Sequence, residues 1–367
     1  MISNNLFEPS DFDERSITPK PEHVVPDSIE FGRTREAFRA QLANDPEAVI
    51  VTHTDADGYS SAALIAHIEH PETPVRPVDY HGAYGLEDAL EDIASCAPRT
   101  RVYILDLNPD SAGIKQPLIN LWAADCPVTW YDHHQWDDDV REAVESAGVD
   151  LVVDEDECTA SLISREFAAY AEKLEDLAEC TKDIDLWVRD DPRSERLNVF
   201  ATIADVDEYI EAVLWHGADL PGEIEQRIDE RLDRDRELEE AAVDRAVIRM
   251  AEEYRVAFTY SRGGRSSVIG NTLVEEMDND IAVVMKSHGG VGIYSHSNRE
   301  TFAQCHQIAE RLGGGGHPTA AGCSVPVQTF REMAEYWSTA GESIEDRLYE
   351  AVDHVAYWEG SEVAADD

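Results

Sequence analysis

Four short clusters of carboxylates and imidazoles carry the chemistry this chain could do. They are His53-Thr-Asp55-Ala-Asp57-Gly58, Leu105-Asp106-Leu-Asn108, Tyr131-Asp132-His133-His134 and Asp183-Ile-Asp185-Leu-Trp187. Oxygen donors with a few imidazoles favour Mn²⁺ or Mg²⁺ over zinc, which thiolate-rich sets take. Two such ions roughly 3.5–4 Å apart can activate a water and clamp the attacking and leaving oxygens of a phosphoester. Each cluster alone has a plainer explanation. An Asp at a strand end often caps the next helix, and a His pair is commonly structural. Their ordered recurrence is what argues for one site.

The elements needed to position them are legible around them. β-branched runs predict strands at 48–53, 101–106, 128–132 and 151–153, with helices over 34–42, 60–69, 85–96, 113–124 and 159–174 between and around them. Strands alternating with helices argue for a parallel sheet covered on both faces. All four clusters are expected at carboxyl ends of strands, the edge where such sheets bind ligands. If 53–57 stays extended, residues 53, 55 and 57 point to one side, and Gly58 permits the turn into the helix. The segment 220–253 is charged and free of Gly and Pro after residue 222, which predicts a solvated connecting helix. A second, smaller domain with mixed strands and helices follows. The expected organisation is a mobile leader over 1–30, a first domain over 31–219, the connecting helix, a second domain over 254–345 and an acidic tail over 346–367.

Composition bounds the setting. With 30 basic and 77 acidic residues, the formal charge is 30 − 77 = −47, and only five residues are lysine. Such a surface either repels nucleic acid or reflects a concentrated salt solvent. Salt screens the self-repulsion of a folded acidic chain, since the Debye length is roughly 3 Å at 1 M. The halophilic reading is preferred, and it removes net charge as evidence about the substrate. The six cysteines form no CxxC pair, which argues against a zinc ribbon or a disulfide framework. No secretory leader or membrane-length apolar run is evident, so the expectation is a soluble cytoplasmic protein.

The strongest feature of the second half is Gly313-Gly-Gly-Gly-His317-Pro-Thr-Ala-Ala-Gly322. Glycines lack Cβ atoms, so such a loop can approach a phosphate closely. The plainer alternative is a helix-to-strand turn. Arg299 offers a guanidinium suited to phosphate. Trp130, Trp136 and Trp187 lie near the clusters and could stack on bases or simply pack the core.

Together these motifs resemble the DHH phosphoesterases. His53-Thr-Asp55-Ala-Asp57-Gly58, Asp106, Asp132-His133-His134 and Asp185 are similar to that family's motifs one to four. Gly314-Gly-Gly-His317-Pro-Thr-Ala-Ala-Gly322 resembles the signature of the associated DHHA1 domain. The resemblance covers roughly residues 45–330. It implies an α/β fold, with a parallel-sheet DHH domain and a smaller mixed α/β DHHA1 domain joined by a helical linker. It implies two Mn²⁺, with Mg²⁺ as the alternative. His53 and Asp55 would hold one ion, Asp57, His133 and Asp185 the other, and Asp106 would bridge them. Asp183 and Asp205 compete with Asp185 for the fourth position. His134 would face the scissile phosphate and Asp132 would orient the imidazoles. Arg299, Gly314, Gly315, Gly316 and His317 would contact substrate. The implied activity is hydrolysis of single-stranded DNA or RNA, or of short oligonucleotides, as in RecJ-like exonucleases and nanoRNases. Cyclic-dinucleotide hydrolysis is the alternative. A non-catalytic scaffold with replication or repair partners is the alternative of another class. Replacing Asp57 or His133 by alanine is expected to abolish turnover with the fold largely intact.

Overall fold

The computed structural model describes residues 27–363, apart from 80–83, 110, 172–173, 297–301, 303 and 328. Arg299 therefore lies outside the described residues, as does most of the predicted leader. The chain divides into two compact units, with the division between Glu230 and Arg231.

The first unit is built on a five-stranded, wholly parallel sheet of order β2-β1-β3-β4-β5. Its strands are β1 (Ala48–His53), β2 (Val75–Val78), β3 (Arg101–Leu105), β4 (Val128–Asp132) and β5 (Asp150–Val153). Parallel strands need crossovers, and the helices Ala56–Ile68, Lys115–Ala123 and Asp138–Ser146 supply three of them. β1 is buried almost throughout, which is why it reads as a continuous apolar run. One face packs Val49, Val51, Val102, Ile104 and Trp130 with residues of the flanking helices, including Leu90, Ile93, Leu118 and Leu121. β2 carries Pro77 and breaks the apolar run, so nothing in the sequence predicts it. It is tolerated because it is an edge strand, where one side of the ladder needs no donor.

The second unit has a six-stranded mixed sheet of order β10-β11-β9-β8-β7-β6. The strands are β6 (Val247–Ala251), β7 (Tyr254–Ser261), β8 (Ile281–Lys286), β9 (Gly290–Ser295), β10 (Gly315–Gly316) and β11 (Ala320–Ser324). Only β7 and β8 run parallel among these pairs. A parallel five-stranded sheet plus a separate mixed α/β sheet is the expected fold class.

Two expectations fail here. The connecting helix spans Gly222–Asp244, not 220–253. Residues 247–251 form β6, antiparallel to β7, because pairing with a neighbouring strand outweighs the helix-like charge pattern. The span 346–363 is also not a tail separate from the second unit. A helix spans Glu342–Val363, and Ile344, Leu348, Ala351, Val352, Val355 and Ala356 bury themselves in the core of the second sheet. Their spacing is that of one helix face, which the interspersed acids hide. Likewise, a helix begins at Asp27, inside the segment read as leader. No described helix is long and apolar enough to cross a membrane.

Candidate metal centre

A sheet of order 2-1-3-4-5 reverses direction between β1 and β3, and ligands bind at the carboxyl ends of strands beside that switch point. His53 ends β1, Asp106 follows β3 directly, and Asp132-His133-His134 closes β4. Asp106 takes a left-handed backbone, φ +56°. That conformation is uncommon for a non-glycine residue, and strain of this kind gathers at functional sites.

Two predicted routes to the site are corrected. Residues 53–57 do not stay extended. Asp55 is the N-cap of the helix Ala56–Ile68, accepting from the Gly58 N–H, and Asp57 lies in its first turn. Gly58 is required for close approach rather than for an unusual dihedral, since a Cβ there would sit 2.5 Å from the His53 carbonyl oxygen. Asp185 does not follow a strand either. It ends the helix Glu175–Asp185.

The structure nonetheless brings the predicted residues together. Three trios each offer ligand atoms within 4.8 Å of one another: His53, Asp55 and Asp106; Asp57, His133 and Asp185; and Asp106, His133 and His134. His53 Nδ1 is 2.8 Å from Asp55 Oδ2 and 3.7 Å from Asp106 Oδ2. His133 Nε2 is 3.4 Å from both Asp106 Oδ1 and Asp185 Oδ2, and 3.9 Å from Asp57 Oδ2. The other two candidates for the fourth position are engaged elsewhere. Asp183 accepts from the Asp190 and Asp191 N–H groups. Asp205 caps the helix Val206–His216.

Asp57 is held by groups that no sequence motif marks. Its two oxygens accept the N–H groups of Thr159 and Ala160 at 2.8 and 2.9 Å. These residues open the helix Thr159–Glu166, a hundred positions away, and a helix N-terminus favours an anion. Asp132 is buried and accepts from His134 Nδ1 at 2.7 Å and from Trp136 Nε1 at 2.6 Å. The first bond fixes the ring and leaves His134 Nε2 as its other nitrogen.

The electrostatics are unbalanced. Burial, then the charges of Asp106, Asp185 and Asp55, push the Asp57 carboxyl well above its ordinary range. Burial and Asp55 raise Asp106. Burial raises Asp185 to about 6, with His133 opposing and Asp106 adding. Burial works against protonating His53 and His133, but the adjoining carboxylates outweigh it and raise them to about 10 and about 9. Asp106 Oδ2 and Asp185 Oδ2 are buried with no hydrogen-bond donor among the described residues. Buried carboxylate oxygens of this kind need a positive partner. The donor set, oxygen-rich with imidazoles, suits a hard divalent cation.

The glycine loop belongs to the second unit. Gly315 and Gly316 form β10 against Gly322 and Ala321 of β11. Gly316 has φ +139°, and a Cβ there would lie 2.6 Å from the Ala321 Cα. Glycine at this position is therefore demanded by the hairpin itself. Gly315, Gly316 and His317 are exposed, and the His317 N–H is bonded to the Ala320 carbonyl.

Solved structures similar to this chain include a DHH-domain protein and a RecJ exonuclease. One is a DHH-domain member of the s1p family of ribosomal proteins, 16% identical, with TM-score 0.52, covering 89% of this chain and 93% of that one. Another is an exonuclease RecJ bound to manganese, 14% identical, with TM-score 0.53, covering 86% of this chain and 94% of that one. At such identities the likeness is one of fold. No protein-family model and no curated protein sequence matches the chain.

Proposed function

We propose that this protein is a manganese-dependent phosphodiesterase acting on single-stranded nucleic acid or short oligonucleotides. One observation carries the reading. Buried Asp57 and Asp106 and half-buried Asp185 converge on His133, and two of their oxygens have no donor among the described residues. A cluster that raises its own carboxyl groups and leaves oxygens unbonded is costly unless a cation completes it.

His53, Asp55 and Asp106 would hold one ion, and Asp57, His133 and Asp185 the other, with Asp106 shared. Divalent cations bound there would generate a nucleophilic hydroxide and offset charge on a phosphoryl oxygen. The protein's own residues do the remainder. The helix end at Thr159 and Ala160 fixes the Asp57 carboxylate. Asp132 fixes the His134 ring, whose other nitrogen would hydrogen-bond a phosphate oxygen. In the second unit, Gly314, Gly315, Gly316, His317 and Arg299 would be the substrate-contacting residues. We read the charge of −47 as adaptation of a cytoplasmic enzyme to concentrated salt.

The test uses the purified protein in molar KCl with Mn²⁺, given single-stranded DNA and RNA of several lengths labelled at either end. Shortening of long strands from one end supports a RecJ-like exonuclease. Turnover of only the shortest oligonucleotides supports a nanoRNase. Hydrolysis of cyclic dinucleotides alone moves the substrate to that class. No cleavage of any of these, with no binding of manganese, overturns the enzymatic reading in favour of a scaffold.

A further inference from the structure

Three tryptophans lie near the site, and the structure separates them. Trp130 is wholly buried and donates its Nε1–H to the Leu107 carbonyl at 2.9 Å. Trp136 packs edge-on against it, with ring centroids 5.2 Å apart, and donates to Asp132. Trp187 is 68% exposed. It stands two residues beyond Asp185, so the two Cα atoms are at most about 7 Å apart.

The Trp187 turn is built rather than loose. Trp187 and Arg189 both take left-handed backbones, φ +58°. Bulky residues rarely do so without support from their surroundings. The support is present. The Trp187 N–H bonds the Ile184 carbonyl, and the Arg189 N–H bonds the Asp183 carbonyl. The Asp183 carboxylate takes the next two N–H groups, at 2.8 and 3.2 Å. The Arg189 guanidinium carbon lies 4.3 Å from the Trp187 ring centroid. A cation over the ring holds its orientation from one face.

In concentrated salt, forces between charges are screened beyond a few Å, roughly 3 Å at 1 M, so a polyanion is not drawn in from a distance. Affinity for nucleic acid has to arise at contact. Stacking is a contact that every base offers and that does not depend on net charge. We propose that Trp187 is the nucleobase platform of this site, with Arg189 as the positioning residue that presents it. The preferred substrate is then one carrying a base next to the cleaved phosphate, not a bare polyphosphate or an aryl phosphate. This rests on the phosphodiesterase reading for the identity of the bound molecule as substrate.

The test measures equilibrium binding of two probes to the full chain in molar KCl with Mn²⁺. One is an adenosine dinucleotide with a non-hydrolysable methylene linkage. The other is the same molecule with one base removed. Trp187→Ala is expected to weaken the first by about 10- to 100-fold, the range that one stacked base supplies. Trp187→Phe is expected to recover most of that loss, and the one-base probe is expected to distinguish the proteins much less. With hydrolysable dinucleotide the loss is expected to fall on KM. Equal binding of the intact probe by wild type and Trp187→Ala overturns the proposal, while leaving hydrolysis and its metal dependence untouched. Equal losses for both probes, unrescued by phenylalanine, also overturn it, because the effect is then not stacking. Trp187-dependent binding without any hydrolysis overturns the phosphodiesterase reading and upholds the platform.

Discussion

Two buried carboxylate regions of the first unit show how differently a fold can treat the same group. Asp92, on the helix Leu86–Cys96, is fully buried yet surrounded by donors. Arg35 bonds it through two nitrogens at 2.8 Å, Arg39 at 2.9 Å and the Tyr84 hydroxyl at 2.8 Å. Asp106 is equally buried, but its Oδ2 has no donor and its neighbours are further carboxylates and imidazoles. Burial tends to raise both. At Asp92 the hydrogen bonds of Arg35, Tyr84 and Arg39 outweigh it and hold the carboxyl below its ordinary range. At Asp106 the like charge of Asp55 adds to it. A buried acid that the chain neutralises itself is structural. One left with an unbonded oxygen among like charges could take a cation.

The contrast can be broken at its strongest point first. His133→Ala removes the imidazole on which Asp57, Asp106 and Asp185 converge. Turnover of dinucleotide in saturating Mn²⁺ is expected to fall by at least about 100-fold, since even groups that only support metal ligands cost 10- to 100-fold. Unchanged turnover would remove His133 from the site. Next, Mn²⁺ at a hundredfold excess over its Kd is expected to stabilise the wild-type protein by about 2.7 kcal/mol. For a unit of this size that corresponds to roughly 5–10 °C in Tm. The same titration is expected to give a much smaller shift in Asp185→Asn and to leave the wild-type response intact in Asp92→Asn. Equal shifts in all three proteins would dissolve the distinction.

A third measurement refines the expectation that alanine at Asp57 spares the fold. Asp57→Ala strands the buried N–H groups of Thr159 and Ala160, each at a cost of about 1–3 kcal/mol. Asp57→Asn keeps an acceptor for one of them. Urea unfolding in EDTA is therefore expected to rank Asp57→Asn above Asp57→Ala. Identical midpoints would show that water replaces the carboxylate. The smallest effect concerns Asp92 and pH. Its folded-state carboxyl is lowered, so its contribution to stability is present above the unfolded value, near 4, and is lost as pH falls through the folded value. The Tm difference between wild type and Asp92→Asn is expected to be complete above about pH 5 and to shrink on acidification. A difference that grew as pH fell would reverse the assigned sign.

Much of the first unit is legible because its physics is local. β1 and β4 occupy the spans read from their β-branched runs, 48–53 and 128–132. Asp106 and Asp132 fall at strand ends because the chain must turn there. Trp187 and the acid run over 346–363 show the opposite. Whether a tryptophan packs or projects, and whether an acidic helix frays or docks, depends on what lies opposite it. The glycine loop sits between these cases. Its pattern is plain in sequence, but the need for Gly316 comes from Ala321 across a hairpin.

By itself the sequence determined the sheet type, the order of the chemical clusters and the kind of ion they suit. Periodicity, strand-end placement and donor chemistry are properties of short segments. The tertiary structure alone decided which of three candidate acids stands beside His133. Asp183, Asp185 and Asp205 are the same residue type in similar local company. Asp183 and Asp205 spend their oxygens on backbone N–H groups of neighbouring turns, while Asp185 is carried to His133 with an oxygen left unbonded. It also decided what holds Asp57, because the helix end that does so lies a hundred residues away and only packing brings it there.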